Sequence, residues 1–92
     1  MFMLAIKHDV EDYDAWKAVY DTLPPTEAGA SFARVNRAVD SPETVLVVAG
    51  FSSAEAAKSF VEMPELRQKM GEAGVVGEPR IELYEQVDST EG

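Results

Sequence analysis

The sequence predicts an α+β domain in which strands and helices follow the order β-α-β-β-α-β. Residues 2–8 and 44–51 are apolar at successive positions and are too short for buried helices, which is typical of strands covered on both faces. Residues 31–39 and 80–87 alternate between apolar and polar side chains, a pattern that indicates strands at the edge of a sheet. Segments with helical spacing separate the first strand from the second and the third from the fourth.

The first helix begins near residues 9–12 and ends before Pro24, which cannot continue it. Asp9 and Asp12 are both plausible N-caps, and acid in the first turn suits the positive end of the helix dipole. At about 100° per residue, one face of this helix carries a carboxylate among apolar and aromatic side chains. That face holds Asp12, Trp16, Val19, Tyr20 and Leu23, with Tyr13 at its margin. Because an acid facing apolar surface is costly unless it caps a helix or does chemistry, function is expected here.

Turn-forming residues connect the remaining elements. A loop over residues 24–30 leads into the second strand, and residues 40–43 form a turn with Pro42 at its second position if Ser41 opens it. The strands on either side of that turn should therefore pair as a hairpin.

The second crossover contains two helical pieces. Ser52 or Ser53 caps the first, and Pro64 starts a second short helix over residues 65–72 that buries Leu66 and Met70. The helix ends at Gly74, and a stiff loop precedes the last strand. That loop contains Gly74, Gly77 and Pro79.

The element order is that of the ferredoxin-like fold, a four-stranded antiparallel sheet with helices on one face. Right-handed crossovers place the first and third strands in the middle of the sheet, in agreement with their apolar composition. A monomer of this topology covers only one sheet face, so strands that are apolar on both faces predict a homodimer. We expect one domain over residues 1–88 and a frayed tail over residues 89–92.

Composition restricts the partners and the compartment. Seventeen acidic and eight basic residues give a net charge of −9 with no cluster of Lys or Arg, so neither nucleic acid nor an anionic membrane is an expected partner. The absence of cysteine excludes disulfides and thiolate chemistry. With no signal peptide and no run of membrane-spanning length, a cytoplasmic protein is expected.

Four segments carry a resemblance to a known family. The pattern His8-x-Val10-x-Asp12-Tyr13-x-x-Trp16-Lys17 and residues 45–51, 56–60 and 73–80 resemble the dimeric α+β barrel proteins, in particular their small antibiotic-biosynthesis-monooxygenase-like and cyclase-like members. The resemblance implies a dimeric barrel. It leaves the activity open, because that fold serves cofactor-free monooxygenases, isomerases, haem-modifying enzymes and proteins without known catalysis.

His8 and Asp12 are the candidate catalytic residues. His8 shares the parity of Leu4 and Ile6 near the end of a central strand, where it could act as a general base or orient a ligand. It could instead be a hydrogen-bonded residue that ties the strand to the helix. Asp12 could hold His8 in one tautomer, or it could simply cap the helix.

Other residues are candidates for substrate binding. Tyr13, Trp16 and Tyr20 could line an aromatic pocket or could form part of the core. On the second strand, Arg34, Asn36 and Arg37 could hold an enolate or a carboxylate if one of them points under the helices. The alternative is that they are exposed for solubility and against pairing of the sheet edge.

No cofactor is predicted. The glycines do not form a phosphate-binding loop after a strand, and a lone His without paired carboxylates of ligand spacing makes a poor metal site. In the resembled family, haem-degrading members place a histidine on the second crossover helix, and this chain has none there.

The sequence thus favours a small cofactor-free enzyme that acts on a hydrophobic, aromatic or polyketide-like molecule held between the helices and the sheet. The chemistry would be oxygenation, or isomerisation and cyclisation, since a base beside an acidic carbon begins them all. The alternative is a non-catalytic binding or structural module. A cavity of ligand size beside Trp16 distinguishes the two.

Overall fold

Four strands, three helices and one short 3-10 turn make up the protein in the computed structural model, which describes residues 1–92. The elements are β1 (Phe2–Val10), α1 (Tyr13–Tyr20), the 3-10 turn (Pro25–Ala28), β2 (Phe32–Ala38), β3 (Ser41–Phe51), α2 (Ala54–Glu62), α3 (Pro64–Glu72) and β4 (Val75–Glu85). This is the predicted ferredoxin-like arrangement, with two helices in the second crossover.

The strands form one antiparallel sheet in the order β2-β3-β1-β4. The prediction that the first and third strands are central is confirmed. β2 and β3 pair as a hairpin, as their turn residues indicate, and β1 lies between β3 and β4.

The helices cover one face of the sheet, and the core lies between them. Alternate side chains of the two central strands point into it, as expected for the period of two along a strand. These are Leu4, Ile6, His8 and Val10 from β1 and Val45, Val47, Ala49 and Phe51 from β3, all of them buried. Trp16 of α1, Phe60 of α2 and Leu66 of α3 pack against them from the helical side.

The opposite side is the open sheet face, which we define by the half-buried side chains of Met3, Ala5, Phe32, Leu46 and Val48. Phe32 lies flat against the backbone of Gly50, where any Cβ would collide with the phenyl ring. No helix of this chain covers this face.

The turn between β2 and β3 is tighter than predicted. Val39 and Asp40 form it, and Ser41 already pairs with Ala38, so the predicted turn over residues 40–43 is wrong. A register shift after Arg37 makes the short turn possible.

β4 begins at Val75, so the predicted stiff loop before it is also wrong. Lys7 pairs with Arg80, and Asp9 pairs with Val76. Between these two pairs β1 advances by two residues, whereas β4 advances by four. The extra residues form a bulge in which Gly77 has a φ of 73°, a conformation that glycine adopts without strain. Gly77 and Pro79, which are typical of turns, thus lie in a bulge within a strand. The bulge is opposite His8.

Candidate functional site

His8 is the only polar or charged residue with a buried side chain; 6% of its surface is exposed. It lies on the helical side of β1, opposite Val45 of β3. Neither imidazole nitrogen, Nδ1 or Nε2, has a hydrogen-bond partner in the protein. Burial lowers the pKa of His8 below its ordinary value of 6.5, and the nearby Asp9 carboxylate only partly offsets this effect. The imidazole is therefore neutral at pH 7 and free to accept or donate a hydrogen bond.

The structure does not pair Asp12 with His8. Asp12 is exposed and caps α1, because its Oδ2 accepts a hydrogen bond of 3.0 Å from the backbone N–H of Ala15. The expectation that this carboxylate faces the aromatic side chains is therefore corrected. A histidine hydrogen-bonded to the start of the helix is not observed either.

Aromatic rings of α1 pack beside His8. The Trp16 and His8 ring centroids are 5.5 Å apart, and the Tyr20 ring stacks on Trp16 with a centroid distance of 5.0 Å. Burial raises the pKa of Tyr20, so its phenol stays protonated and can donate a hydrogen bond. Tyr13 lies 5.8 Å from Trp16, and the guanidinium of Arg37 lies 4.2 Å from the Tyr13 ring centroid.

A cavity opens between the sheet and the helices beside Trp16, and we call it the His8 cavity. Its lining is mostly apolar. The sheet contributes Ile6, His8 and Val47; α1 and the loop after it contribute Trp16, Val19, Tyr20, Leu23 and Pro25; α2 and the segment 64–73 contribute Phe60, Leu66, Lys69, Met70 and Ala73. The cavity has a volume of about 50 Å³ and is open to solvent. Pockets for drug-sized ligands usually hold ~300–1,000 Å³, so this one accepts only a compact group unless it widens.

Of the three predicted aromatic wall residues, Trp16 and Tyr20 line the cavity and Tyr13 does not. Sequence reasoning missed Lys69, although its spacing gave a signal. It follows Leu66 by three positions and precedes Ala73 by four, which places it on the apolar face of α3.

Arg34 and Asn36 do not reach the cavity, so their proposed role there is corrected. Their side chains lie on the same face of β2 as Phe32, which is the open sheet face. The Arg34 guanidinium lies 4.3 Å from the Phe32 ring centroid, and Asn36 Nδ2 donates a hydrogen bond to the Leu46 carbonyl. Parity alone could not show which face they occupy, because both sets of side chains on β2 contain apolar residues.

No group of three or more His, Cys, Asp or Glu side chains is arranged to hold a metal ion. None of the helices combines the length and apolar character that crossing a membrane requires.

Comparison with known proteins supports the fold. No protein-family model and no curated protein sequence matches the chain. Solved structures do match over nearly its whole length. A candidate antibiotic biosynthesis monooxygenase from Deinococcus radiodurans has a TM-score of 0.76 at 13% identity, over 99% of this chain and 97% of its own. SnoaB, a cofactor-independent oxygenase from Streptomyces nogalater, has a TM-score of 0.75 at 10% identity, over 96% of this chain and 94% of its own. A conserved protein from Methanosarcina mazei has a TM-score of 0.73 at 12% identity, over 90% of this chain and 89% of its own.

The protein therefore has the fold of the antibiotic-biosynthesis-monooxygenase-like proteins. At these identities the likeness concerns the fold alone.

Proposed function

We propose that the protein is a cofactor-independent enzyme in which His8 acts as a general base on a small hydrophobic molecule bound in the His8 cavity. The observation that carries the proposal is a buried imidazole with two unpartnered nitrogens in an apolar wall. A buried polar group without a partner costs free energy, which a ligand hydrogen-bonded to it would recover.

The chemistry follows from the neutral state of His8. A neutral imidazole can take a proton from a carbon or oxygen acid held against it, and the electron pair then stays on the substrate. That pair is available to dioxygen, which leads to oxygenation, or to an electrophilic carbon of the same molecule, which leads to isomerisation or cyclisation. Tyr20, as a protonated phenol on the cavity wall, could donate a hydrogen bond to the charge that develops.

The likeness to SnoaB supports oxygenation as the first of these reactions to test, because that protein of the same fold is a cofactor-independent oxygenase. The role of Asp12 in this proposal is limited to fixing the start of α1. Trp16, which α1 carries one turn later, then forms the wall against which the substrate packs.

A second function is favoured by the small cavity volume, about 50 Å³. With so little enclosed space, the protein would be a non-catalytic module whose cavity is closed by side chains or holds a compact ligand without turnover. A polyketide-sized substrate requires the cavity to widen, which involves movement of side chains at its open side.

His8 supplies the test, since it is the only histidine in the chain and gives one set of imidazole ¹⁵N signals in NMR spectra. A panel of small aromatic ketones and phenols is titrated into the protein. The compounds that shift the His8 signals are then incubated with wild-type protein and His8→Gln under air. Product formation by the wild type alone supports the enzyme, whereas binding without product supports the module. If no compound shifts His8, the site does not bind this class of molecule.

We also propose that the protein forms a homodimer through the open sheet face. The apolar side chains of Leu46, Val48 and Met3 are half-buried there without any helix over them. A chain of 92 residues buries only roughly 60–65% of its unfolded surface when it folds alone, less than a larger domain does, so a second copy would add to its core.

A further inference from the structure

We propose that the ligand of the His8 cavity is an anion, a compact apolar molecule bearing a carboxylate that Lys69 binds at the cavity wall. This inference rests on the proposed function, since it concerns the substrate of the same site, and makes Lys69 its specificity-determining residue.

Lys69 is the only charged side chain among the residues that line the cavity, and no acid is among them. The ammonium group forms no salt bridge or hydrogen bond with any other side chain; the two ion pairs of the structure are Lys17 with Asp21 and Arg80 with Glu82. Its side chain is half-buried, so its aliphatic part lies against apolar neighbours while its charge has no partner.

The overall charge makes this placement informative. Acidic residues outnumber basic ones by 17 to 8, yet the lining of this cavity carries a single positive charge and no negative one. The cavity is therefore a local exception to the negative surface, which otherwise repels anions. Because His8 is neutral, it does not add a second positive charge, and one negative group on the ligand balances the site.

The positions of His8 and Lys69 also indicate where each part of the ligand would lie. His8 comes from the sheet that forms the floor, and Lys69 comes from α3 above it. A bound molecule would present its acidic proton to His8 and its carboxylate to Lys69, with an apolar body between them. Such a molecule needs only its apolar part inside the cavity, which agrees with the small enclosed volume.

The test uses two probes of equal shape and different charge, phenylacetate and phenylacetamide. Each is titrated into ¹⁵N-labelled protein, and binding is followed by the backbone amides of α3 and the His8 imidazole. Phenylacetate should bind roughly tenfold more tightly than phenylacetamide. In Lys69→Met the preference should disappear through weaker binding of phenylacetate, whereas Lys69→Arg should retain it. Lys58→Met is the matched control, because Lys58 is an exposed lysine on α2 outside the cavity lining.

The possible failures are distinct. If both probes shift His8 with equal affinity, or if Lys69→Met keeps the preference for phenylacetate, this inference is wrong and binding against His8 stands. If neither probe shifts His8 but a ketone or phenol does, this inference alone is wrong. If none of these compounds shifts His8, the proposed function fails with it. The amide spectrum of each variant shows directly that it is folded, so loss of binding through unfolding is recognised.

Discussion

The imidazole of His8 packs against the indole of Trp16, with ring centroids 5.5 Å apart and planes inclined at 53°. The contact places a polar ring beside an apolar one and gives neither imidazole nitrogen a partner. His8 is thus held by packing alone, and its role can be separated experimentally from the stability of the fold.

Replacement of His8 by Leu should lower the free energy of unfolding by no more than about 1 kcal/mol, because no hydrogen bond is lost. The replacement could also stabilise the protein, because it removes an unpaired polar group from the core. Urea denaturation at pH 8 measures the change. Ile6→Ala is the control, since Ile6 is 4% exposed on the same face of β1 and its truncation should cost ~2–5 kcal/mol. A loss above ~2 kcal/mol for His8→Leu would show that His8 has a structural partner after all.

The stability of the wild type should fall relative to His8→Leu as the pH drops below about 6.5. The pKa of His8 is lowered in the folded state, so the unfolded chain binds a proton first and gains the stabilisation that protonation provides. The slope cannot exceed about 1.4 kcal/mol per pH unit for one proton, and the difference becomes constant below the folded pKa. Because the variant retains every carboxylate, subtraction of the two curves isolates His8. If the wild type instead gains stability relative to the variant over this range, the pKa is raised and His8 is paired with an acid.

Much of the fold could be predicted because patterning and topology agree. The runs at residues 2–8 and 44–51 are apolar on both faces, and right-handed crossovers independently place those strands in the centre. The start of β4 was missed because Gly77 and Pro79 are turn residues, and only the register with β1 shows that they belong to a bulge.

The site was less predictable for a physical reason. Helical and strand periods indicate which residues share a face, and they placed His8, Trp16 and Tyr20 together correctly. They do not show which face of an edge strand meets the helices, so the sequence leaves open the side on which Arg34 and Asn36 lie, and only the register with β3 places them on the open sheet face. Nor does spacing decide whether Asp12 turns toward the rings or toward the free N–H groups of its own helix. The free backbone donors of the first turn determine its orientation.

Asp12→Ala should lower the free energy of unfolding by ~1 kcal/mol, and Asp12→Asn by clearly less, because asparagine can also accept the hydrogen bond from Ala15. Neither variant should alter the ligand-induced shift of the His8 signals. Ser53→Ala is the control, because it removes an equivalent N-cap: Ser53 Oγ accepts a hydrogen bond of 3.1 Å from the Ala56 N–H at the start of α2. Its cost in stability should be similar to that of Asp12→Ala. If Asp12→Asn has normal stability but fails to bind or turn over a ligand, the charge of Asp12 has a functional role.

The dimer proposal predicts the effect of a charge on the open sheet face. Val48 lies there on β3, half-buried between Ala5 of β1 and Arg34 of β2. Val48→Glu should convert the dimer to a folded monomer, because burying a carboxylate between two sheets costs more free energy than an ion pair with the neighbouring Arg34 would return. Sedimentation equilibrium at micromolar concentration should give about twice the 10.1 kDa chain mass for the wild type and the chain mass for the variant.

The control is Val39→Glu, which introduces the same charge at a valine that is 95% exposed in the turn between β2 and β3. It should remain dimeric, so that the added negative charge itself is excluded as the cause of dissociation. A wild-type protein that sediments as a monomer and unfolds cooperatively would contradict the dimer. If Val39→Glu dissociates and Val48→Glu does not, the copies associate at the hairpin end, and the open sheet face is not the interface.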